Sequence, residues 1–273
     1  MFRILVTGRN FGAVTPDFDY FKERGYEIVE NPYKGKMPNE EELIGVIPDV
    51  DAILVGNDRI NKNVLAHANR IKVVAKSGIG VDTIDVDECS RKGIYVVNVP
   101  GTTAIPVAEL TMALMLGVSK LLMYNNRRVM QGMWPVDRGH DIFGKTLGIV
   151  GFGRIGQQVA RRAKAFGMEI YAYDPYMNRA VAEEIGVKVT TLDEITETCQ
   201  YVTIHVPMTP ENANLFDRAR IFRMKEGAYL IDAARGGLVD EDALYDALTS
   251  GHLAGAAFDV LRTEPPAERP KLF

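Results

Sequence analysis

A glycine-rich turn between a predicted strand and a predicted helix constrains the fold more than any other feature of the sequence. The turn reads Gly151-Phe-Gly-Arg-Ile-Gly156 and directly follows the apolar run Leu147–Val150. A helical pattern comes next, and the following apolar run, Glu169–Tyr173, ends at Asp174. This order of strand, glycine turn, helix and acidic strand end is typical of a dinucleotide-binding unit.

Each residue of this motif has a physical role in such a unit. Gly151 permits the tight turn, Gly153 lets a pyrophosphate approach backbone N–H groups, and Gly156 lets the helix pack close to the strand. The helix N-terminus attracts the phosphate charge. The carboxylate of Asp174 can accept hydrogen bonds from the adenosine ribose and would repel a 2′-phosphate. The motif therefore predicts NAD rather than NADP. A structural strand–turn–helix unit without a cofactor is the weaker alternative.

Short apolar runs alternate with helical patterns along most of the chain. Five predicted strands precede residue 100, and the alternation resumes at Thr146 after a mostly helical stretch, Ala104–Met130, with a predicted break near Gly117. Apolar strands separated by helices favour parallel sheets that are covered on both faces. The pattern predicts an α/β chain with two doubly wound parallel-sheet domains, residues 1–98 and 99–273.

Composition excludes several classes of protein. Hydrophobic residues make up 47%, and 32 basic against 36 acidic residues give a net charge of −4, so there is no bulk attraction to nucleic acid or anionic membranes. Cys89 and Cys199 are too few for a disulfide scaffold or a four-cysteine zinc site. No apolar run reaches the roughly 18 to 20 residues that span a bilayer. We expect a cytoplasmic protein with no membrane or nucleic-acid partner and no metal site.

Three polar residues follow predicted strands in the second half of the chain. Arg235 lies beyond the strand that ends at Asp232, where open α/β sheets bind ligands, and its planar fork suits a carboxylate. A surface arginine before a Gly-Gly turn is an equal alternative. Glu264 could orient a histidine and favour its protonated form, but from its position alone a solvated loop glutamate is the stronger interpretation. Asp259 is a ligand on the nicotinamide side or a turn residue.

Further motifs follow one another in a distinctive order along the chain. In the second half they are Gly151–Gly156, His205–Pro207 with Thr209-Pro210, Met224–Gly227, Arg235–Glu241, Phe258–Val260 and Glu264-Pro265. Earlier ones are Ser77–Asp82, Pro100-Gly101, Val107–Glu109, Gly132 with Trp134, and Gly144–Val150. Taken in this order, the motifs resemble the D-isomer-specific 2-hydroxyacid dehydrogenase family, closest to its phosphoglycerate dehydrogenase branch.

This resemblance implies a fold and a set of site residues. Residues 1–98 would form a flavodoxin-like substrate domain and residues 99–273 a Rossmann NAD-binding domain, apparently truncated at its C-terminal end, with the active site in a cleft between them. Arg235 would hold the carboxylate and carbonyl oxygen of the substrate, and the backbone N–H groups of Gly78, Ile79 and Gly80 would bind the same carboxylate. The glycine turn with Arg154 and Ile155 would contact NAD, as would Asp174, His205, Val206, Pro207, Ala233, Ala234 and Asp259.

The resemblance also implies a catalytic histidine, paired with Glu264, that takes the hydroxyl proton as hydride leaves C2. In the family this histidine lies beyond Glu264. The four histidines of this sequence are His67, His140, His205 and His252, and none occupies that position. The ending Arg269–Phe273 is typical of a cut chain. We expect impaired turnover, since a general acid–base group contributes about 10²- to 10⁴-fold.

Several functions remain open. The leading hypothesis is an NAD-dependent dehydrogenase of D-2-hydroxyacids, with 3-phosphoglycerate as the substrate. A glyoxylate or hydroxypyruvate reductase uses the same machinery. A phosphorylated substrate would need an extra cation in the cleft, and Arg59 is one candidate, although a solvated loop residue is the stronger interpretation of Arg59. A non-catalytic NAD(H)-sensing module is favoured by the absent histidine and disfavoured by the presence of both Arg235 and Glu264. The resemblance further implies a homodimer that uses Ala104–Met130 and the loop of Trp134, although these apolar faces could equally pack within the chain.

Overall fold

The computed structural model describes residues 1–8, 18–33, 36–134 and 137–272. The chain divides into two compact units, Met1–Thr103 and Ala104–Phe273. The elements of the first unit are β1 (Phe2–Val6), α1 (Asp19–Glu23), β2 (Tyr26–Glu30), α2 (Glu40–Val46), β3 (Ala52–Val55), α3 (Lys62–Ala66), β4 (Val73–Lys76), α4 (Val86–Arg91) and β5 (Tyr95–Val97).

The sheet of the first unit is parallel, in the order β2-β1-β3-β4-β5. This is the flavodoxin-like strand order, and it confirms the predicted fold class for this unit. Leu5, Ile53 and Val74 on the strands are fully buried with Leu43 and Val64 on the helices. The apolar alternation of the sequence therefore corresponds to one core between sheet and helices.

The second unit contains a larger set of elements. They are α5 (Ala104–Ser119), α6 (Leu122–Met130), β6 (Thr146–Val150), α7 (Arg154–Ala165), β7 (Glu169–Tyr173), α8 (Arg179–Ile185), β8 (Lys188–Val189), α9 (Leu192–Thr198), β9 (Tyr201–Ile204), α10 (Arg218–Arg223), β10 (Ala228–Asp232), α11 (Glu241–Thr249) and β11 (Leu253–Phe258).

The six strands of the second unit are parallel, in the order β11-β10-β9-β6-β7-β8. From β6 the chain first builds β7 and β8 on one side and then β9, β10 and β11 on the other. The order therefore reverses between β6 and β9, which is where doubly wound sheets bind dinucleotides. Helices α5, α7 and α8 cover one face and α9, α10 and α11 cover the other. The predicted Rossmann fold is confirmed.

The predicted helix break near Gly117 is wrong by a few residues. Gly117 lies inside α5, and the chain turns at Leu121, whose φ of 54° is left-handed. The Ser119 carbonyl accepts a hydrogen bond from the His140 N–H at 2.7 Å, and a Cβ on Gly139 would overlap with this part of the backbone. A distant segment thus ends the helix. Among the described residues no single helix is long and apolar enough to cross a membrane; α5 and α6 pass that test only together, across a bend of 63°.

Candidate functional site

The glycine turn after β6 is held by the ends of two neighbouring strands. The Gly151 N–H donates to the Tyr173 carbonyl of β7 at 2.8 Å. Its φ is 98°, and a Cβ there would lie 2.7 Å from the backbone carbonyl of His205, just beyond β9. A Cβ on Gly156 would overlap with the Gly151 carbonyl oxygen. Glycine is therefore required at both positions by the packing of this unit alone.

Gly153 is different, because nothing in the fold requires a glycine there. Its φ is −72°, and a Cβ would meet no atom within 4 Å. It is the N-cap of α7, and no side chain in the described part of the protein caps this helix. The N-terminus of this 12-residue helix thus has no side-chain acceptor among the described residues, and the space beside Gly153 is open. A pyrophosphate fits this arrangement, since it needs backbone donors and room beside them.

The Asp174 carboxylate lies beside the same turn. One of its oxygens accepts the Phe152 N–H at 2.7 Å, and the other accepts the Tyr176 N–H at 2.7 Å. The carboxylate is half-buried, so its remaining lone pairs can accept hydrogen bonds from a ligand. This geometry fits a ribose that lies beyond the turn.

The backbone of His205 packs against the glycine turn, and its imidazole ring is enclosed by the protein. The Nε2 atom lies 3.0 Å from Thr203 Oγ1, and the buried Nδ1 has no hydrogen-bond partner. Burial lowers the pKa of this imidazole to about 3, so the ring is neutral at neutral pH. Of the residues that follow, Val206 is half-buried, and Pro207 is exposed and accepts a hydrogen bond from Asn212 through its carbonyl.

The turn after β10 carries Arg235 and is fixed from two sides. Asp232, the last residue of β10, has an exposed fraction of 1%, and its Oδ1 accepts the Ala234 N–H at 2.8 Å. A Cβ on Gly236 would overlap with the Leu261 carbonyl oxygen, so the loop after β11 closes over the turn. Arg235 is half-buried, and its guanidinium donates to the Ala234 carbonyl at 2.7 Å.

Burial raises the pKa of Asp232 to about 7. Hydrogen bonds from the backbone of Ala234 and Arg235 and the charge of Arg235 lower this pKa, but their effect is smaller than that of burial. The charge of Glu264 raises this pKa further. Sequence reasoning missed Asp232. The sequence does contain a signal for its importance, because Asp232 is a carboxylate at the end of an otherwise apolar strand, β10. That strand is fully buried and ends at the ligand-binding edge of the sheet.

The loop after β11 contains the other two candidates. The backbone N–H of Asp259 donates to the Asp232 carbonyl at 3.0 Å, and Asp259 itself is exposed. Glu264 is also exposed, and its Oε1 accepts the Leu261 N–H at 2.8 Å. The structure therefore places Arg235 and Glu264 on two loops that touch each other at Gly236 and Leu261.

The candidates of the first unit form the turn after β4. Gly78 has a φ of 156°, its carbonyl accepts the Val99 N–H at 3.1 Å, and the Ile79 carbonyl accepts the Asn98 side-chain amide at 2.7 Å. Within the ranges that the structure describes, no hydrogen bond engages the N–H groups of Gly78, Ile79 or Gly80. Three adjacent free donors are suited to an anionic ligand.

The fold and the glycine turn together define the second unit as a Rossmann-type dinucleotide-binding domain. Residues 112–273 match the family described as D-isomer specific 2-hydroxyacid dehydrogenase, NAD binding domain. The chain belongs to this family, and NAD is the cofactor of the domain.

Individual relatives show the range of activities in the family. The chain is 44% identical over 239 residues to a D-3-phosphoglycerate dehydrogenase of Methanocaldococcus jannaschii. The matched region covers 85% of this chain and 45% of that protein. It is 38% identical to a hydroxypyruvate reductase of Thermotoga maritima, over 84% of this chain and 75% of that protein. A crystal structure of an NAD-dependent formate dehydrogenase from Staphylococcus aureus in complex with NAD superposes with a TM-score of 0.85 at 31% identity, covering 99% of this chain and 85% of that one. The chain thus spans about half the length of the phosphoglycerate dehydrogenase, 45%.

Proposed function

We propose that this chain forms the coenzyme- and substrate-binding part of an NAD-dependent D-2-hydroxyacid dehydrogenase, and that its substrate is 3-phosphoglycerate. The observation that carries the proposal is the position of Arg235. It lies at the carboxyl end of β10, in the sheet that holds the glycine turn, on a backbone fixed by buried Asp232. The phosphoglycerate dehydrogenase relative at 44% identity supports the substrate.

The residues of the chain bind and orient in this proposal. When bound, NAD supplies the hydride acceptor for the hydrogen at C2 of the substrate. The α7 N-terminus beside Gly153 binds the pyrophosphate, and Asp174 binds the adenosine ribose. Val206, Pro207, Ala233, Ala234 and Asp259 are the proposed further contacts of the coenzyme.

Arg235 orients the substrate through its carboxylate and the oxygen at C2, because the guanidinium is a planar, permanently charged donor. The free N–H groups of Gly78, Ile79 and Gly80 are proposed to bind the substrate as well. Glu264 is proposed to favour the protonated form of an imidazole that receives the hydroxyl proton. His205 does not fit that role, since its ring is enclosed and neutral down to about pH 3.

A hydroxypyruvate or glyoxylate reductase is the second candidate, because the Thermotoga maritima hydroxypyruvate reductase is covered over 75% of its length. Binding of 3-phosphohydroxypyruvate, hydroxypyruvate and glyoxylate to the NADH complex separates the two. The first candidate predicts that 3-phosphohydroxypyruvate binds at least about tenfold more tightly than hydroxypyruvate. Equal affinity favours the second candidate, and an NADH complex that binds none of them favours a sensing module and contradicts both.

Variants of two arginines test the role of Arg235. Arg235→Gln should abolish 2-oxoacid binding and leave NADH binding intact. Arg218→Gln is the matched control, because Arg218 is an exposed residue of α10 that forms an ion pair with Asp246. Equal effects of the two substitutions would contradict the proposed role.

We also propose a homodimer through α6 and the loop that follows it. Helix α6 has no buried residue, and Met123, Met130 and Trp134 are 71%, 80% and 86% exposed. Covering so much apolar surface on association is favourable. Light scattering should give about twice the 30.3 kDa of one chain; a mass of one chain at micromolar concentration would contradict a dimer.

A further inference from the structure

Asp232 is a buried acid, and the proposed function assigns no role to the charge of its carboxylate. It ends β10 between Ile204 of β9 and Phe258 of β11, in the interior of the sheet. An apolar residue at this position would bury more favourably, because isolated carboxylates are costly to remove from water. The burial of this acid next to a substrate-binding arginine is therefore the feature to explain.

Asp232 fixes the turn that carries Arg235. Its Oδ1 accepts the Ala234 N–H at 2.8 Å, and the backbone of Arg235 also donates to the carboxylate. Its backbone carbonyl accepts the Asp259 N–H at 3.0 Å, which joins the turn to the loop after β11. The position of the Arg235 guanidinium thus depends on the side chain of Asp232, which lies three residues earlier in the chain.

The same carboxylate shares its charge environment with Arg235. The charged and titratable groups of the elements packed against it are Arg235 on the turn itself, Asp259 and Glu264 after β11, and His205 after β9. Arg235 favours the ionised form and Glu264 disfavours it, and the His205 ring is neutral. A second anion at Arg235 would act on Asp232 in the same direction as Glu264.

We propose that Asp232 is a positioning residue that couples substrate binding to protonation: it holds the turn of Arg235, and it takes up one proton from solvent when a substrate carboxylate binds to Arg235. The inference rests on the proposed function. In the free protein the negative charge of Asp232 opposes the anion, and in the complex the protonated acid does not. The bond from the Ala234 N–H to Oδ1 persists in both forms when the proton is carried by the other oxygen, because a protonated carboxyl keeps an acceptor oxygen.

The pH dependence of binding follows from this linkage. Burial places the pKa of Asp232 at about 7 in the free protein. Above that pH the dissociation constant of a carboxylate ligand should rise by about tenfold per pH unit, until the pKa of the complex is reached. Below pH 6 it should be constant.

Oxamate, a stable 2-oxoacid analogue, is the probe. Its dissociation constant is measured with the 273-residue polypeptide saturated with NADH, from pH 5.5 to 8.5. The wild type should lose up to about 15-fold in affinity between pH 7 and 8.5. Asp232→Asn keeps the acceptor and removes the charge, so its affinity should be independent of pH and match the wild type at pH 5.5. Asp232→Ala should bind weakly at every pH, since it leaves the N–H groups of the turn unpaired. A pH slope in Asp232→Asn equal to that of the wild type, or an equal affinity of Asp232→Ala, would overturn the proposal.

A second measurement does not depend on any ligand. The ¹³C resonance of the Asp232 carboxyl carbon should titrate near pH 7, and at higher pH in Arg235→Gln. Titration near pH 4, or no change in the variant, would refute the coupling. If oxamate does not bind to the wild-type NADH complex while this resonance behaves as expected, the proposed function fails and the coupling of Asp232 to Arg235 stands.

Discussion

Replacing Asp232 by asparagine should change how the stability of the protein depends on pH. The pKa of this carboxyl is about 7 in the fold, against an ordinary value of 3.8. The native state therefore binds more protons than the unfolded state between these two values. The free energy of unfolding falls as pH rises through this window and stays low above it.

The size of the effect follows from the two pKa values. A difference of about three pH units corresponds to about 4 kcal/mol at most, at 1.36 kcal/mol for each unit. The Asp232→Asn protein lacks this loss. Its amide group adds a constant cost of about 1–3 kcal/mol for a buried unpaired donor, which does not vary with pH. The difference in stability between variant and wild type should thus grow in favour of the variant by up to about 4 kcal/mol from pH 4 to pH 8.

Urea unfolding followed by circular dichroism at pH 4, 6 and 8 measures this difference, with one transition fitted for each unit. Asp242→Asn is the matched control, because Asp242 is an exposed residue of α11 that contacts Lys271. The control should show no comparable growth with pH. A constant difference between Asp232→Asn and the wild type at all three pH values would refute the reasoning, because it would mean that the buried carboxyl does not titrate in this window.

Three further predictions concern stability. Gly117→Ala should stabilise α5 by about 0.5–1 kcal/mol, since Gly117 is helical and a Cβ there meets no atom within 4 Å; a lower melting temperature would contradict this. His205→Asn should make the protein less sensitive to acid, because the pKa of the His205 imidazole falls from 6.5 to about 3 on folding. The free energy of unfolding of the wild type therefore decreases by up to about 5 kcal/mol as pH drops through this range. If the stabilities of variant and wild type fall in parallel down to pH 4, the prediction is contradicted. Asp240→Ala should cost about 1 kcal/mol in urea unfolding, because the side chain caps two N–H groups of α11; an unchanged midpoint would show that water replaces the cap.

Local patterns were sufficient to predict most of the fold. The strands that flank the glycine turn, β6 and β7, are predicted with their observed ends, because both are apolar runs limited by polar or glycine residues. The two-residue strand β8 is not predicted, since it lacks any periodic pattern and forms by pairing with β7. The end of α5 is also outside the reach of local rules, because it depends on the bond from the distant His140 N–H.

The candidate site shows the same division. Gly151, Gly153 and Asp174 are identified by their spacing, and the structure brings them together at one turn. Asp232 is not identified, because its importance comes from burial between two strands that are distant in sequence. His252 is half-buried and stacks on Phe222 with ring centroids 5.3 Å apart, a contact between separate elements that no local pattern predicts.

Binding of NADH to the wild type and to Gly153→Ala tests the central claim, that the coenzyme lies over the N-terminus of α7. The alanine Cβ meets no protein atom, so the melting temperature should fall by no more than a few degrees, the cost of alanine at an N-cap, while the added methyl group occupies the space of the pyrophosphate. Isothermal titration should give one NADH per wild-type chain and at least about a tenfold loss of affinity in Gly153→Ala, with Gly117→Ala as the unaffected control. Equal NADH affinity in wild type and Gly153→Ala, or no binding to the wild type, would contradict the account.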